Sequence, residues 1–211
     1  RFSYERNSLN RVQYASSGSR FLFRSKWVKG TENTIPGTTS LNRDTISNSR
    51  EWYIFRGLYE NYFIQGKVFS FGGRLEGVYS NLPKFQNYTA TLINCPTIHG
   101  FPEFSTFFMP QFRAPRFVSF GISPVFHFSK SVDLRMDLFA FHPILSVVQK
   151  PDGTVGYFKN SRTFTTGSAS VVFHSPIGPI SISSNYYEQN ENPWSFLLNI
   201  GFILNNKSSR D

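Results

Sequence analysis

The segment 193–204 alternates strictly between two kinds of side chain. The large apolar residues share one row: Trp194, Phe196, Leu198, Ile200, Phe202 and Leu204. The opposite row contains Ser195, Asn199 and Gly201 beside two aliphatic residues. A period of two residues is typical of a β-strand whose faces meet different surroundings. The pattern predicts a closing strand that presents an apolar row and ends at Phe202 or Leu204.

The same alternation recurs upstream and predicts about eight strands in all. The further segments are 21–27, 53–59, 69–79, 117–128, 131–140, 169–174 and 178–188. In 131–140, an apolar row that starts at Val132 opposes a row containing Asp133, Arg135 and Asp137. Counting matches to the two-residue template favours strands over helices throughout the chain.

The segments between the strands are of two lengths. Ser-Lys-Ser at 129–131 and Ser-Pro-Ile-Gly-Pro at 175–179 are predicted as tight turns, because their residue types favour turns. The segments 29–48, 80–116 and 146–164 are predicted as long connections, since they are rich in Asn, Thr, Gly and Pro. These lengths indicate an up-and-down antiparallel array. It forms one domain over 1–204, followed by a polar tail at 205–211.

Two architectures fit such strands: a soluble β-sandwich and a transmembrane β-barrel. The polar rows contain mainly Ser, Asn, Gly and His, with charges of both signs close together. Arg74 and Glu76 share one such row, and Asp133, Arg135 and Asp137 share another, so we expect charge ladders on a wet inner face. Strands of about 9 to 11 residues suit a bilayer, whereas sandwich strands usually have five or six. An apolar outward row suits lipid. The barrel is therefore preferred, and the sandwich stays open.

The composition of the chain excludes several kinds of partner, metal site and membrane segment. The charge is +9, but the basic residues are scattered, which argues against a nucleic-acid partner. The single cysteine, Cys95, excludes an internal disulfide and a cysteine-based metal site. No apolar stretch is long enough for a membrane-spanning helix. The first residues lack both Met and the apolar core of a signal peptide, so we expect a piece of a longer protein. No cofactor is expected.

Several segments together resemble one family. They are the final hairpin "ASVVFHSPIGPISISSNYYEQNENPWSFLLNIGFIL", "NYTATLINCP", "FRAPRFVSFGISPVFHFSKSVDLRMDLFAF" and "SLNRVQYASSGSRFLF". In these segments the chain resembles the C-terminal region of Omp85-superfamily barrels of the bacterial surface antigen type. Among them it is most similar to the barrel of patatin-like phospholipases of Bacteroidetes. The resemblance covers nearly the whole chain, and its motifs are most specific in the last 45 residues.

The resemblance implies a location, partners and a role. Barrels of this family have sixteen strands, so this chain would be the C-terminal half of one in the outer membrane of a Gram-negative bacterium. Its partners would be outer-membrane lipid, lipopolysaccharide, the barrel-assembly machinery and other outer-membrane proteins. The barrel would anchor, and be able to export, a patatin-like phospholipase domain. The alternative is an insertion or translocation factor for outer-membrane proteins.

The family also folds a loop into its lumen, with a Val-Arg-Gly-Phe type motif at the tip. "IHGF" at 98–101 matches this motif except that histidine replaces arginine. The resemblance therefore makes His99, Gly100 and Phe101 the candidates for such a tip.

Catalytic and metal-binding patterns are not found in the sequence. A patatin-type lipase needs a Gly-x-Ser-x-Gly elbow, which does not occur here, so its catalytic residues would precede residue 1. The four histidines share no metal-ligand spacing. Asp133 and Asp137 would lie about 13 Å apart along a strand, with Arg135 between them. That spacing favours a structural charge ladder over paired catalytic carboxylates.

Overall fold

The computed structural model describes residues 1–35, 45–102, 104, 108–151, 153–159, 162–188 and 192–201. The strands are β1 (Phe2–Asn7), β2 (Ser19–Thr34), β3 (Ile46–Gln65), β4 (Phe69–Ser80), β5 (Arg116–His127), β6 (Val132–Gln149), β7 (Val155–Phe158), β8 (Phe164–Ser175), β9 (Gly178–Tyr187) and β10 (Trp194–Ile200). The helix α1 (Tyr88–Ile93) and a 3-10 turn at Pro110–Phe112 lie between β4 and β5. The predicted all-β fold is confirmed.

All strands belong to one antiparallel sheet of up-and-down order. The order is β1-β2-β3-β4-β5-β6-β8-β9-β10, and β7 pairs with the far end of β6. The up-and-down topology is therefore confirmed, in a single sheet rather than the two packed sheets of a sandwich. Within the described residues, β1 pairs only with β2, and β10 pairs only with β9.

The prediction of about eight strands was low, because the described residues contain ten. Strands β1 and β7 were missed, and β2, β3 and β6 extend into segments predicted as loops. The pairing of β2 with β3 continues to Thr34↔Ile46, although this part is rich in Ser, Thr and Asn. The hydrogen bonds of a hairpin join backbone groups, whatever the side chains are. Strand pairing can therefore continue through a segment of polar composition.

The inner face of the sheet buries polar and charged residues, and the outer face exposes large apolar ones. On the inner face, buried residues include Ser70, Glu76, Ser119, Asp133, Arg135, Asp137, Ser168, Ser170, Ser181, Ser183 and Asn185. On the outer face, exposed residues include Phe21, Phe23, Trp27, Phe55, Leu75, Tyr79, Phe120, Met136, Leu138, Val171, Phe173, Ile182, Trp194, Phe196, Leu198 and Ile200. A soluble protein buries the second kind of residue and exposes the first.

The sheet curves around its inner face. The hydroxyl of Tyr14 lies 2.9 Å from the hydroxyl of Ser181 in β9, although Tyr14 stands only five residues before β2 begins at Ser19. In a flat sheet the six steps from β2 to β9 would separate these strands by about 29 Å. Five residues reach at most about 18 Å when fully extended. Residues 8–18 are not extended, because they fold back on themselves, with the N–H of Asn10 donating to the carbonyl of Ser17 at 3.1 Å and Tyr14 at φ +55°. The two strands must therefore approach each other across a concave inner face.

Two segments fill this concavity from opposite ends. Residues 8–18, between β1 and β2, enter at the end where the turns are short: 66–68, 128–131 and 176–177. The segment between β4 and β5 enters at the end where the connections are long. It forms an aromatic cluster with the inner face, whose members include Phe101, Phe104, Phe112, Phe117, Phe139, Phe141 and Tyr187. Among the described residues no helix is long and apolar enough to cross a membrane.

Candidate functional site

Residues 96–102, named here the docking segment, lie against the inner face of β3 and β4. Glu76 of β4 is the centre of this contact. Its Oε2 accepts the backbone N–H of His99 at 2.8 Å, and its Oε1 lies 2.8 Å from Nδ1 of the same histidine. Arg56 of β3 forms an ion pair with Glu76 and donates to the carbonyl of Thr97 at 3.0 Å. One carboxylate thus joins two strands to the docking segment.

Arg74 makes the second part of the contact. Its Nη2 pairs with Oε2 of Glu60 in β3 at 2.8 Å, and its Nη1 donates to the carbonyl of Gly100 at 3.0 Å. The guanidinium lies over the ring of Phe139, 5.5 Å from its centroid. Arg74 therefore binds the backbone of the docking segment, while the carboxylate of Glu60 on the neighbouring strand balances its charge.

His99 takes part as a hydrogen-bonding group rather than as a cation. Burial, followed by the charge of Arg56, lowers the pKa of His99 below its usual value near 6.5. The ring is consequently neutral at pH 7, with Nδ1 donating to Glu76.

The predicted tip residues His99, Gly100 and Phe101 all lie inside the concave face. Phe101 packs at 5.8 Å from Phe104 between ring centroids.

Gly100 is constrained by its neighbour. A methyl group added there would lie 2.9 Å from Cγ of Phe104, closer than carbon atoms approach. We expect Gly100→Ala to lower the free energy of unfolding by about 1 to 3 kcal/mol, because the ring must leave its packed position. Gly77→Ala is the matched control, since a methyl group at Gly77 meets nothing within 4 Å. Guanidinium unfolding measures both variants. Equal effects would contradict the close packing of the docking segment.

The charged residues expected on the inner face, namely Arg74, Glu76, Asp133, Arg135 and Asp137, all form ion pairs there. Arg135 forms a bidentate pair with Asp137, with Nε 2.6 Å from Oδ2 and Nη2 2.8 Å from Oδ1. It also donates to the carbonyl of Ala15 in the segment 8–18. Asp133 has other partners, and Arg74 and Glu76 each pair with β3 rather than with each other. Along β6, Arg135 pairs with Asp137 but not with Asp133, because Asp133 is engaged by His127 and His174 on the neighbouring strands.

Asp133 accepts hydrogen bonds from residues whose proximity was not predicted from the sequence. Its Oδ1 accepts from Nδ1 of His127 at 2.6 Å, and its Oδ2 accepts from Nε2 of His174 at 2.7 Å. Arg11, from the segment 8–18, donates to the same Oδ2 at 2.8 Å. Sequence spacing assigned no carboxylate to these histidines. Only the antiparallel register places them on neighbouring strands, with His127 opposite Asp133.

Ser70, His127 and Asp133 stand in the hydrogen-bond order of a serine-hydrolase triad. The hydroxyl of Ser70 lies 3.0 Å from Nε2 of His127. A catalytic serine must meet a substrate, but Ser70 is almost fully buried and does not line the inner cavity described below. Asp133 is also engaged by His174 and Arg11. We therefore interpret this group as a structural network that holds the segment 8–18 in place.

The closing strand presents its apolar row outward. Trp194, Phe196, Leu198 and Ile200 are all exposed, while Ser195 and Asn199 alternate with them and are less exposed. Strand β10 ends at Ile200, and Gly201 follows with φ +85°. The predicted end residues Phe202 and Leu204, and the tail 205–211, lie outside the described residues. Tyr187, the last residue of β9, is buried on the inner face.

An inner cavity of about 610 Å³ runs along β2 and β3. The segment 8–18 borders it at one end, and the docking segment borders it at the other. Cys95 lies beside it as a buried thiol whose pKa burial raises to about 12, so the group stays protonated. Within the described part of the chain, no group of three or more His, Cys, Asp or Glu residues could hold a metal ion.

Comparisons with protein-family models, with curated proteins and with solved structures give no match.

Proposed function

We propose that this chain is the C-terminal part of an outer-membrane β-barrel that anchors a patatin-like phospholipase domain in its parent protein. The proposal of a membrane location rests on the composition of the outer face. Eight ranges from β2 to β10 have no charged residue at their outward-facing positions, which are every second residue starting from the first of each range: 21–27, 53–63, 69–79, 118–126, 132–140, 169–173, 180–186 and 194–200. A charge-free band around a polar inner face is what lipid requires of a barrel.

Aromatic residues at one edge of this band also support the proposed membrane location. The rings of Trp27 and Tyr53 stack at 6.4 Å between centroids, and those of Tyr186 and Trp194 lie 5.1 Å apart. All four lie toward the end of the sheet that has the long connections. Tyrosine and tryptophan prefer the membrane interface, because one part of each ring is apolar and another part forms hydrogen bonds. This edge would lie at the outer surface, since barrels of this kind have short periplasmic turns and long external loops.

The outer face also carries an open apolar groove of about 690 Å³. Its lining includes Leu138, Tyr186 and Trp194. A hydrocarbon chain of a lipid suits a groove of this kind, because it would cover apolar surface that would otherwise meet water.

The phospholipase part of the proposal rests on the resemblance alone. The chain contains no serine elbow, so the catalytic residues would lie in sequence that precedes it. The barrel would contribute an anchor in the outer membrane, with lipid and lipopolysaccharide around it and the barrel-assembly machinery as its partner during folding.

The second candidate is an Omp85-type insertion or translocation factor. The docking segment supports this candidate as well as the first, because His99 and Gly100 are held inside the concave face by Glu76 and Arg74, and the resemblance implies such a loop for both. The two candidates differ in the sequence upstream: a serine-hydrolase domain supports the first, and POTRA domains alone support the second.

Folding in detergent tests the membrane proposal shared by both candidates. The chain and its full-length parent are refolded in detergent, and gel migration is compared with and without heating. A membrane barrel is expected to migrate faster before heating and to aggregate in plain buffer. A chain that is folded and monodisperse in plain buffer would instead support a soluble binding module.

The three tryptophans test which face meets lipid. Trp27 and Trp194 point outward and are 57% and 60% exposed, while Trp52 points inward and is 6% exposed. In vesicles of brominated phospholipid, we expect strong fluorescence quenching of variants that keep only Trp27 or only Trp194. The variant that keeps only Trp52, with phenylalanine at the other two sites, serves as the internal control. Quenching of Trp52 as strong as that of Trp194 would reverse the assignment of the faces.

A further inference from the structure

Three short turns at one end of the sheet expose apolar side chains. These turns, named here the turn rim, are 66–68, 128–131 and 176–177. Val68, Phe128 and Ile177 in them are 72%, 69% and 83% exposed. Turns in water consist mainly of glycine, asparagine, aspartate, serine and proline. Neighbouring exposed apolar groups instead mark a surface that contacts something other than water.

Backbone hydrogen bonds join the turns of the rim to the strands beside them. The N–H of His127 in β5 donates to the carbonyl of Val68 at 2.8 Å, and the N–H of His174 in β8 donates to the carbonyl of Ser131 at 2.7 Å. Strands β4 and β5 are neighbours in the sheet, as are β6 and β8. The turn rim is therefore one continuous, preformed surface rather than three independent loops.

The turn rim carries positive charge without negative charge. Lys67 and Lys130 are exposed, and neither side chain forms a hydrogen bond or an ion pair with another described residue. The three turns contain no Asp or Glu. Asp133, the nearest carboxylate along the chain, is buried and pairs with Arg11. The two lysines are consequently available to an anionic partner.

The rim adjoins one edge of the apolar outer face. Phe128 lies two positions beyond Phe126, whose ring centroid is 5.0 Å from that of Phe69 on β4. Phe63, near the end of β3, is exposed at the same end of the sheet. In a bilayer, the edge of the apolar face lies at the level of the lipid headgroups. The rim would then stand where lipid phosphates and the ends of the apolar layer are both within reach.

We propose that the turn rim is an interaction surface for the headgroup layer of a bilayer leaflet that contains anionic phospholipid. Lys67 and Lys130 pair with lipid phosphates, since an anionic leaflet attracts lysines close to its surface. Val68, Phe128 and Ile177 enter the apolar side of the same layer. The headgroup layer is hydrated, so charge is accepted there at little cost. The inference rests on the proposed membrane location and adds the lipid chemistry that the end with the short turns selects.

A single tryptophan in the rim reports which lipid lies beside it. Phe128→Trp is introduced into the full chain, with phenylalanine in place of Trp27, Trp52 and Trp194. The chain is folded into vesicles of three parts phosphatidylcholine to one part phosphatidylglycerol, and either lipid is brominated in separate preparations. The ratio of the two quenching efficiencies gives the local lipid composition. We expect phosphatidylglycerol to be enriched at least twofold over its bulk share.

Variants of equal charge separate the rim from general attraction by a basic chain. Lys67→Gln with Lys130→Gln is expected to return the local composition to the bulk value. Lys150→Gln with Lys159→Gln removes the same charge beyond the far ends of β6 and β7, and should leave the enrichment unchanged. Ile177→Trp is a second reporter if the first one fails to fold. Equal losses in the two double variants, or no enrichment at either reporter, would overturn the proposal.

The variant that keeps only Trp194 separates this inference from the membrane proposal. If neither Trp194 nor the rim reporter is quenched by either lipid, the chain is not in the bilayer and both proposals fail. If only Trp194 is quenched, the chain is inserted but the rim lies in water, where an acidic protein surface would be the partner to test next. Quenching of both without a preference for phosphatidylglycerol leaves the membrane location in place and contradicts the selection of anionic lipid.

Discussion

Replacement of Ile182 by arginine is expected to lower the free energy of unfolding in phospholipid vesicles by about 2 to 4 kcal/mol. Ile182 lies at the middle of β9 on the outer face and is 63% exposed. An arginine near the midplane of a bilayer loses its hydration, and that loss accounts for the cost. The measurement is reversible guanidinium unfolding of the chain folded into vesicles.

The matched control is Ile177→Arg. Ile177 is the same residue type, is 83% exposed and lies in the turn between β8 and β9, only five positions away. A turn in the aqueous phase should accept arginine with little change in stability. In a soluble protein both substitutions would be near neutral, because exposed surface positions tolerate charge. A negligible effect of Ile182→Arg would therefore remove the main support for a lipid-facing outer surface.

Glu76→Gln is expected to lower the free energy of unfolding by about 3 to 5 kcal/mol. Glutamine keeps the shape of the side chain but leaves the buried cation of Arg56 without its carboxylate. It also weakens both hydrogen bonds to His99. Two readouts are informative: guanidinium unfolding, and the rate of limited proteolysis between β4 and β5. Proteolysis should accelerate, because the docking segment is held mainly through this carboxylate and Arg74.

Glu188→Gln is the control for this substitution. Glu188 pairs with Arg162 at 3.0 Å, but the arginine is 64% exposed, and the amide oxygen of glutamine can still accept the N–H of Thr165, so loss of this pair should cost at most about 1 kcal/mol. The addition of Arg56→Met to Glu76→Gln should recover part of the stability, since it removes the unpaired buried charge. No recovery would mean that the ion pair matters less than the hydrogen bonds to the docking segment.

Comparison of particular elements shows how far the sequence could predict the fold. The alternation in 131–140 assigned Met136 and Leu138 to one face and Arg135 and Asp137 to the other, and the structure has the same division. The lengths of the connections also predicted the up-and-down order. The limits of β2 and β6 were not predicted, because polar residues in a paired hairpin resemble those of a loop.

The candidate site was predictable only in part. The resemblance drew attention to His99, Gly100 and Phe101, but neither resemblance nor spacing indicated that Glu76 and Arg74 would be their partners. The histidines on Asp133 were missed for the same reason, although His127 and Asp133 are only six positions apart. A tight turn between β5 and β6 brings them face to face, and this signal was present in Ser-Lys-Ser at 129–131.

Which residues face outward and which face inward follows from the sequence alone, because alternation is a local property of a strand and does not depend on its neighbours. How the charges pair, and which segments fill the inner face, became apparent only from the three-dimensional arrangement of the strands. Arg11 meets Asp133 across 122 positions, and Tyr14 meets Ser181 across 167. Such contacts depend on strand order, register and the curvature of the whole sheet, and no short segment of sequence contains that information.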